Sequence, residues 1–92
     1  MNDDTINIIE ALLFASPEPL TQKKINIIFD VDSPDLEECI KILIKKFESH
    51  NHAIDILNIA GGYQLRTKPE YDLYVRRLLN KTGQLSLSQA AL

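Results

Sequence analysis

A mainly helical α+β fold follows from three observations on this chain of 92 residues. Apolar residues recur at helical spacing in several stretches. Proline, serine and aspartate stand where those stretches should begin or end. A glycine pair, Gly61-Gly62, separates two short runs of strand type. The predicted order is three helices, a β-hairpin and a C-terminal helix over residues 1–80.

The first helix is expected from Asp4 to Ala15, with Asp3, Asp4 and Thr5 supplying capping oxygens and negative charge at its start. Ile6, Ile8, Ile9, Leu12, Leu13 and Ala15 fill one broad arc of its wheel. Ser16-Pro17-Glu18-Pro19 stops it, since proline lacks the N–H that the ladder needs. Thr21 then reads as the N-cap of a short second helix, Gln22 to Phe29, with Leu20 placed to staple against Ile25. Asp30-Val31-Asp32 is a loop. Ser33 as cap and Pro34 at the first helical position open the third helix, which runs to Phe47 or Ser49. Its inward face is Leu36, Cys39, Ile40, Leu43, Ile44 and Phe47.

His50-Asn51-His52 breaks that pattern. Ala53 to Ala60 and Tyr63 to Thr67 are the two arms of a hairpin, and the second alternates Tyr63, Leu65 and Thr67 with Gln64 and Arg66. Pro69 begins a fourth helix, Glu70 to Asn80, whose Tyr71, Tyr74, Val75 and Leu78 share a face. Helix, helix, helix, hairpin is the order of a winged helix, in which a first strand can be very short. The second and third helices form the helix-turn-helix and the hairpin forms the wing. Residues 81–92 read as a linker and the start of something further. LSLSQAAL (85–92) combines capping serines with helix formers and stops about one turn in, too short to be stable alone.

Could Gly61-Gly62 cradle a phosphate? A phosphate loop leads from strand directly into helix, whereas here Tyr63 to Thr67 intervene before Lys68-Pro69 opens the next helix. The pair is expected at the wing tip, where a tight hairpin needs positive φ. No other motif points to catalysis. His50-x-His52 lacks a second pair of ligands, Cys39 lies on an apolar face, and Asp3, Asp4, Glu37 and Glu38 all stand at helix starts. The expectation is no catalytic residue, no metal and no cofactor.

The net charge of −3 and isoelectric point near 5.2 oppose a dedicated nucleic-acid binder. The N-terminus MNDDTINIIE is acidic where a secretion signal is basic, and no apolar run is long enough to span a membrane. With a single cysteine, the chain is expected in the cytoplasm. The alternative is a DNA-binding winged-helix transcriptional regulator. Its third helix would present Glu37, Glu38, Lys41, Ile42, Lys45 and Lys46, which include no Arg, Asn or Gln to read base edges. Arg66 and Lys68 on the wing suffice only for weak backbone contact. Apolar residues on otherwise polar arcs point elsewhere: Phe14 lies between Glu10 and Asn7, Ile42 among Glu38, Lys45 and Lys46, and Leu73 between Arg76 and Arg77. They indicate a protein-binding surface, with Ile8, Leu12, Phe14, Ile42 and Tyr63 as candidate contacts.

IEALLFASPEPLT (9–21), GGYQLRTKPEY (61–71) and LSLSQAAL (85–92) closely resemble segregation and condensation protein B, in order and spacing. That family is the small accessory subunit of the bacterial SMC–kleisin condensin complex. The resemblance implies two tandem winged-helix domains, with residues 81–92 leading into the second. It also implies a homodimer formed largely through the first domain, and binding to the kleisin, segregation and condensation protein A (ScpA), and through it to SMC. DNA would be engaged mainly by SMC, and neither catalytic residues nor a cofactor is implied. The implied role is chromosome condensation and segregation at the nucleoid, with no membrane partner.

Overall fold

The structure, a computed structural model, describes residues 2–49 and 52–81. From residue 82 onward the expected linker and second domain lie outside the described residues, as do His50 and Asn51. The elements run α1 (Asp3–Ala15), α2 (Gln22–Phe29), α3 (Leu36–Ser49), β1 (Ile54–Ile59), β2 (Gly62–Thr67), a 3-10 turn (Pro69–Tyr71) and α4 (Asp72–Lys81). This is the α+β winged-helix order expected from the sequence.

The helix starts show which polar groups the backbone recruits. α1 begins one residue early because Asn2, not the aspartates, caps it: its side-chain oxygen accepts from Thr5 N at 2.8 Å. α2 starts as expected, with Thr21 Oγ1 accepting from Lys24 N at 3.2 Å. α3 starts later than Ser33-Pro34 suggested. Ser33 Oγ is instead donated to Asn26 Oδ1 at 2.7 Å, and Asp35 Oδ1 receives Glu37 N at 3.0 Å. Leu36 N, also a helix-start donor without an intrahelical partner, bonds Gln22 Oε1 at 2.7 Å. A side chain of α2 therefore does the capping that local sequence assigned to serine.

The core lies between α1, α2, α3 and the inner face of the hairpin. Ile9, Ile25, Cys39 and Leu43 are fully buried at its centre, and Ile56, Tyr63 and Leu65 of the wing pack against it. Of the six residues expected on the inner face of α3, Ile44 alone is exposed. β1 and β2 pair antiparallel from Ile54↔Thr67 to Ile59↔Gly62. Leu20 and Tyr63 exchange backbone hydrogen bonds of 2.8 and 2.9 Å. That bridge is the very short first strand, lying along the edge of β2 opposite β1.

The register corrects the wing tip. Its two turn residues are Ala60 and Gly61, with φ of 53° and 75°, and Gly62 is already paired in β2. Two positive φ values in succession are what a two-residue hairpin requires. Gly62 is glycine for another reason: an added Cβ would lie 2.6 Å from Leu20 O.

α4 departs further from expectation. It begins at Asp72, since Pro69–Tyr71 form a 3-10 turn first, and none of residues 72–80 is buried. Tyr74 and Leu78 on its supposed inner face are 67% and 62% exposed, as open as Leu73 at 54% on the other side. Among the described residues its main packing is against the 3-10 turn.

Candidate protein-interaction site

α1 and α3 meet along a seam, crossed near its middle by an ion pair, Lys46 Nζ to Glu10 Oε1 at 3.0 Å. On one side of the pair a depression is floored by Ile6 and flanked by Ile42. On the other a second depression is lined by Phe14, Phe47, His52, Ile54 and Leu65. Phe14 stands at its rim with 84% of its surface exposed. The ring of His52 meets Phe47 edge-on, 5.7 Å between centroids, and closes the floor at the wing side. The seam thus offers two depressions in which apolar side chains stand beside polar ones, Asp3, Asn7 and Lys46 in the first and Glu10 and Lys46 in the second, an arrangement suited to a peptide that carries both apolar and polar side chains.

The structure divides the five candidate contacts. Phe14 and Ile42 share the seam, on opposite sides of the ion pair. Ile8, 37% exposed, lies roughly 120° round α1 from Phe14. Leu12 and Tyr63 pack partly buried against the core, so much of their surface is already spent on the fold. Gly61 is exposed at the turn and Gly62 is buried beneath Leu20. A further patch escaped the sequence reading: Ile27, Ile28 and Val31 are 71%, 53% and 69% exposed at the end of α2. Ile27 and Ile28 sit on a helix of eight residues, too short for periodicity to say which side faces in, and Val31 lies in the loop beyond it.

Several of the cations pair within the chain. Arg66 Nε donates to Asp55 Oδ1 across the wing at 2.8 Å, and that carboxylate holds the guanidinium above its usual pKa. Lys41 lies 4.0 and 3.9 Å from Glu37 and Glu38 on the exposed side of α3. Phosphates approaching this face would meet the glutamates as well as the lysine, which weakens the DNA-reading alternative. Cys39 is buried in the core; burial, and then the Asp35 carboxylate, push its thiol above the ordinary value. Such a thiol is a poor nucleophile. Among the described residues no three His, Cys, Asp or Glu side chains gather as a metal site, and no helix is long and apolar enough to cross a membrane.

A family model, segregation and condensation complex subunit ScpB, matches residues 7–92. Segregation and condensation protein B of Clostridium tetani is 41% identical over 86 residues, which is 94% of this chain and 46% of that protein. The chain thus spans about half the length of such relatives. A structure of a conserved hypothetical protein from Chlorobium tepidum superposes with a TM-score of 0.76 at 31% identity, over 95% of this chain and 55% of that one. A dimer of a ScpB N-terminal domain complexed with a ScpA peptide does so with a TM-score of 0.68 at 26% identity, over 84% of this chain and 92% of that one.

Proposed function

Since the chain belongs to the segregation and condensation complex subunit ScpB family, we propose that it is a non-catalytic subunit of a bacterial SMC–kleisin complex. It self-associates and holds a segment of the kleisin ScpA, in chromosome condensation and segregation at the nucleoid of the cytoplasm. The observation that carries the docking half is the α1–α3 seam, where Phe14 projects beside an apolar depression while Lys46 and Glu10 neutralise each other. A similar ScpB domain crystallised as a dimer with a ScpA peptide, which supports both halves of the reading. Burial of the seam would supply the energy at about 25 cal/mol per Å² of apolar area.

Calorimetric titration of ScpA-derived peptide into this chain tests the docking. Binding should weaken at least about ten-fold in Phe14→Glu, equivalent to roughly 1.4 kcal/mol, with the thermal unfolding midpoint unchanged. Phe14 is the better probe than Leu12, whose replacement by glutamate would place a charge against the core. Undiminished binding by the variant would move the site off the seam. A sequence-selective DNA complex that survives physiological salt would revive the regulator reading instead.

A further inference from the structure

We propose that the outer edge of β1 takes an extended peptide segment of a partner protein as an added strand, whose alternate side chains enter the groove between β1 and α3. The edge adjoins the seam at Phe47 and Ile54 but presents backbone rather than side chains.

The register says which backbone groups are free. The two-residue turn and the bond from Lys68 N to Ala53 O, 2.8 Å, fix the ladder at both ends. Bonded and non-bonded pairs alternate in an antiparallel ladder, so Asp55, Leu57 and Ile59 spend their N–H and C=O groups on β2. Ile54, Ile56 and Asn58 turn theirs outward, and among the described residues no backbone group meets them. The opposite edge shows what such groups recruit. Tyr63, the partner of Asn58, also turns its backbone outward, and Leu20 takes both of its groups. The sheet is closed on that side and open on this one.

The edge also specifies its occupant. Its donor–acceptor sets recur at every second residue, roughly 6.8 Å apart, a spacing that another extended backbone matches. Neither proline, lysine nor a bulge guards it from Ile54 to Ile59, and its one charge, Asp55, is held by Arg66. Beside it lies a groove of about 230 Å³ lined by Ile44, Phe47, Ile54 and Ile56. That is room for aliphatic side chains, and below the ~300–1,000 Å³ of small-molecule sites. Glu48 and Lys68 on its rim carry opposite charges, and neither is in an ion pair among the described residues. The segment that fits alternates β-branched apolar residues with polar ones and carries an acid and a base at its flanks.

NMR of the isotope-labelled 92-residue chain, titrated with the acetylated, amidated peptides KTVTVTE and ETVTVTK, tests this. Peptide should shift the amides of Ile54, Ile56 and Asn58 and slow their hydrogen exchange at least about ten-fold. Those of Asp55, Leu57 and Ile59, already bonded to β2, should change little. Asn58→Pro removes an outward N–H and no bond to β2, so it should keep the thermal midpoint and weaken binding at least about ten-fold. Methylating the peptide's own backbone nitrogens at alternate residues leaves the protein untouched. One alternation should abolish binding and the other preserve it. No change at Ile54, Ile56 and Asn58 with either peptide overturns the proposal, as does equal binding by the two methylated sets. Shifts confined to Phe14 and Ile42 would place the peptide on the seam, removing the added strand while the docking reading above stands. Slow exchange at the three outward amides before peptide is added would mean that the edge is already filled. The filler is a second copy if protection rises with concentration and this chain itself if it does not, and either result overturns the proposal.

Discussion

Three consecutive residues of the wing carry three different constraints. Ala60 sits at φ 53° and Gly61 at φ 75°, while Gly62 faces the carbonyl of Leu20 at a distance that leaves no room for a Cβ. Gly61→Ala meets nothing within 4 Å, so its cost is backbone strain alone, about 1–2 kcal/mol. Ala60→Gly removes that strain at its own position and should stabilise by about 0.5 kcal/mol, once the added freedom of the unfolded chain is subtracted. Gly62→Ala must push Leu20 off the edge of β2 and should cost about 2–3 kcal/mol. Urea unfolding of the three variants should therefore order them Ala60→Gly above wild type, then Gly61→Ala, then Gly62→Ala. A Gly62→Ala variant as stable as wild type would mean that the Leu20–Tyr63 bridge is not formed. Cys39 offers a second check at this scale. Buried, with its thiol held above the usual pKa, it should react with a thiol reagent at pH 8 at least about 100-fold more slowly than in urea, because both access and thiolate fraction are reduced.

At the level of elements, the turn between α2 and α3 is organised by α2 itself. Gln22 receives Leu36 N through Oε1, and its Nε2 donates to Asn26 Oδ1 and to Pro34 O, both at 2.9 Å. Removing it leaves a part-buried helix-start N–H unsatisfied, so Gln22→Ala should destabilise by about 1–2 kcal/mol. Ser33→Ala, which deletes one exposed bond, should cost about 0.5 kcal/mol or less. Equal losses in thermal melts would show that serine caps α3 after all. The contrast explains where the sequence could be read and where it could not. The inner face of α3 is legible because burial follows the helical period. The N-cap of α3 is not, because the acceptor for Leu36 N comes from fourteen residues away and no local pattern encodes that. Phe14 and Ile42 could be picked out as apolar residues on polar arcs. Tyr74 and Leu78 of α4 looked like an inward face because a helix shows the same periodicity whether or not its own chain covers it.

For the molecule as a whole, the core needs α1, α2, α3 and the wing, and draws nothing fully buried from α4. The helices α1, α2 and α3 with the wing therefore form a body that carries the seam and owes little of its packing to α4. A chain of residues 1–71 should then unfold cooperatively, with stability within about 1 kcal/mol of the full chain and a nearly equal denaturant slope, since little apolar area is lost. ScpA peptide should still bind the shortened chain through Phe14 and Ile42, because the seam is built without α4. A shortened chain that has lost its cooperative transition would show that α4 is part of what holds the core together, despite burying no residue among 72–80.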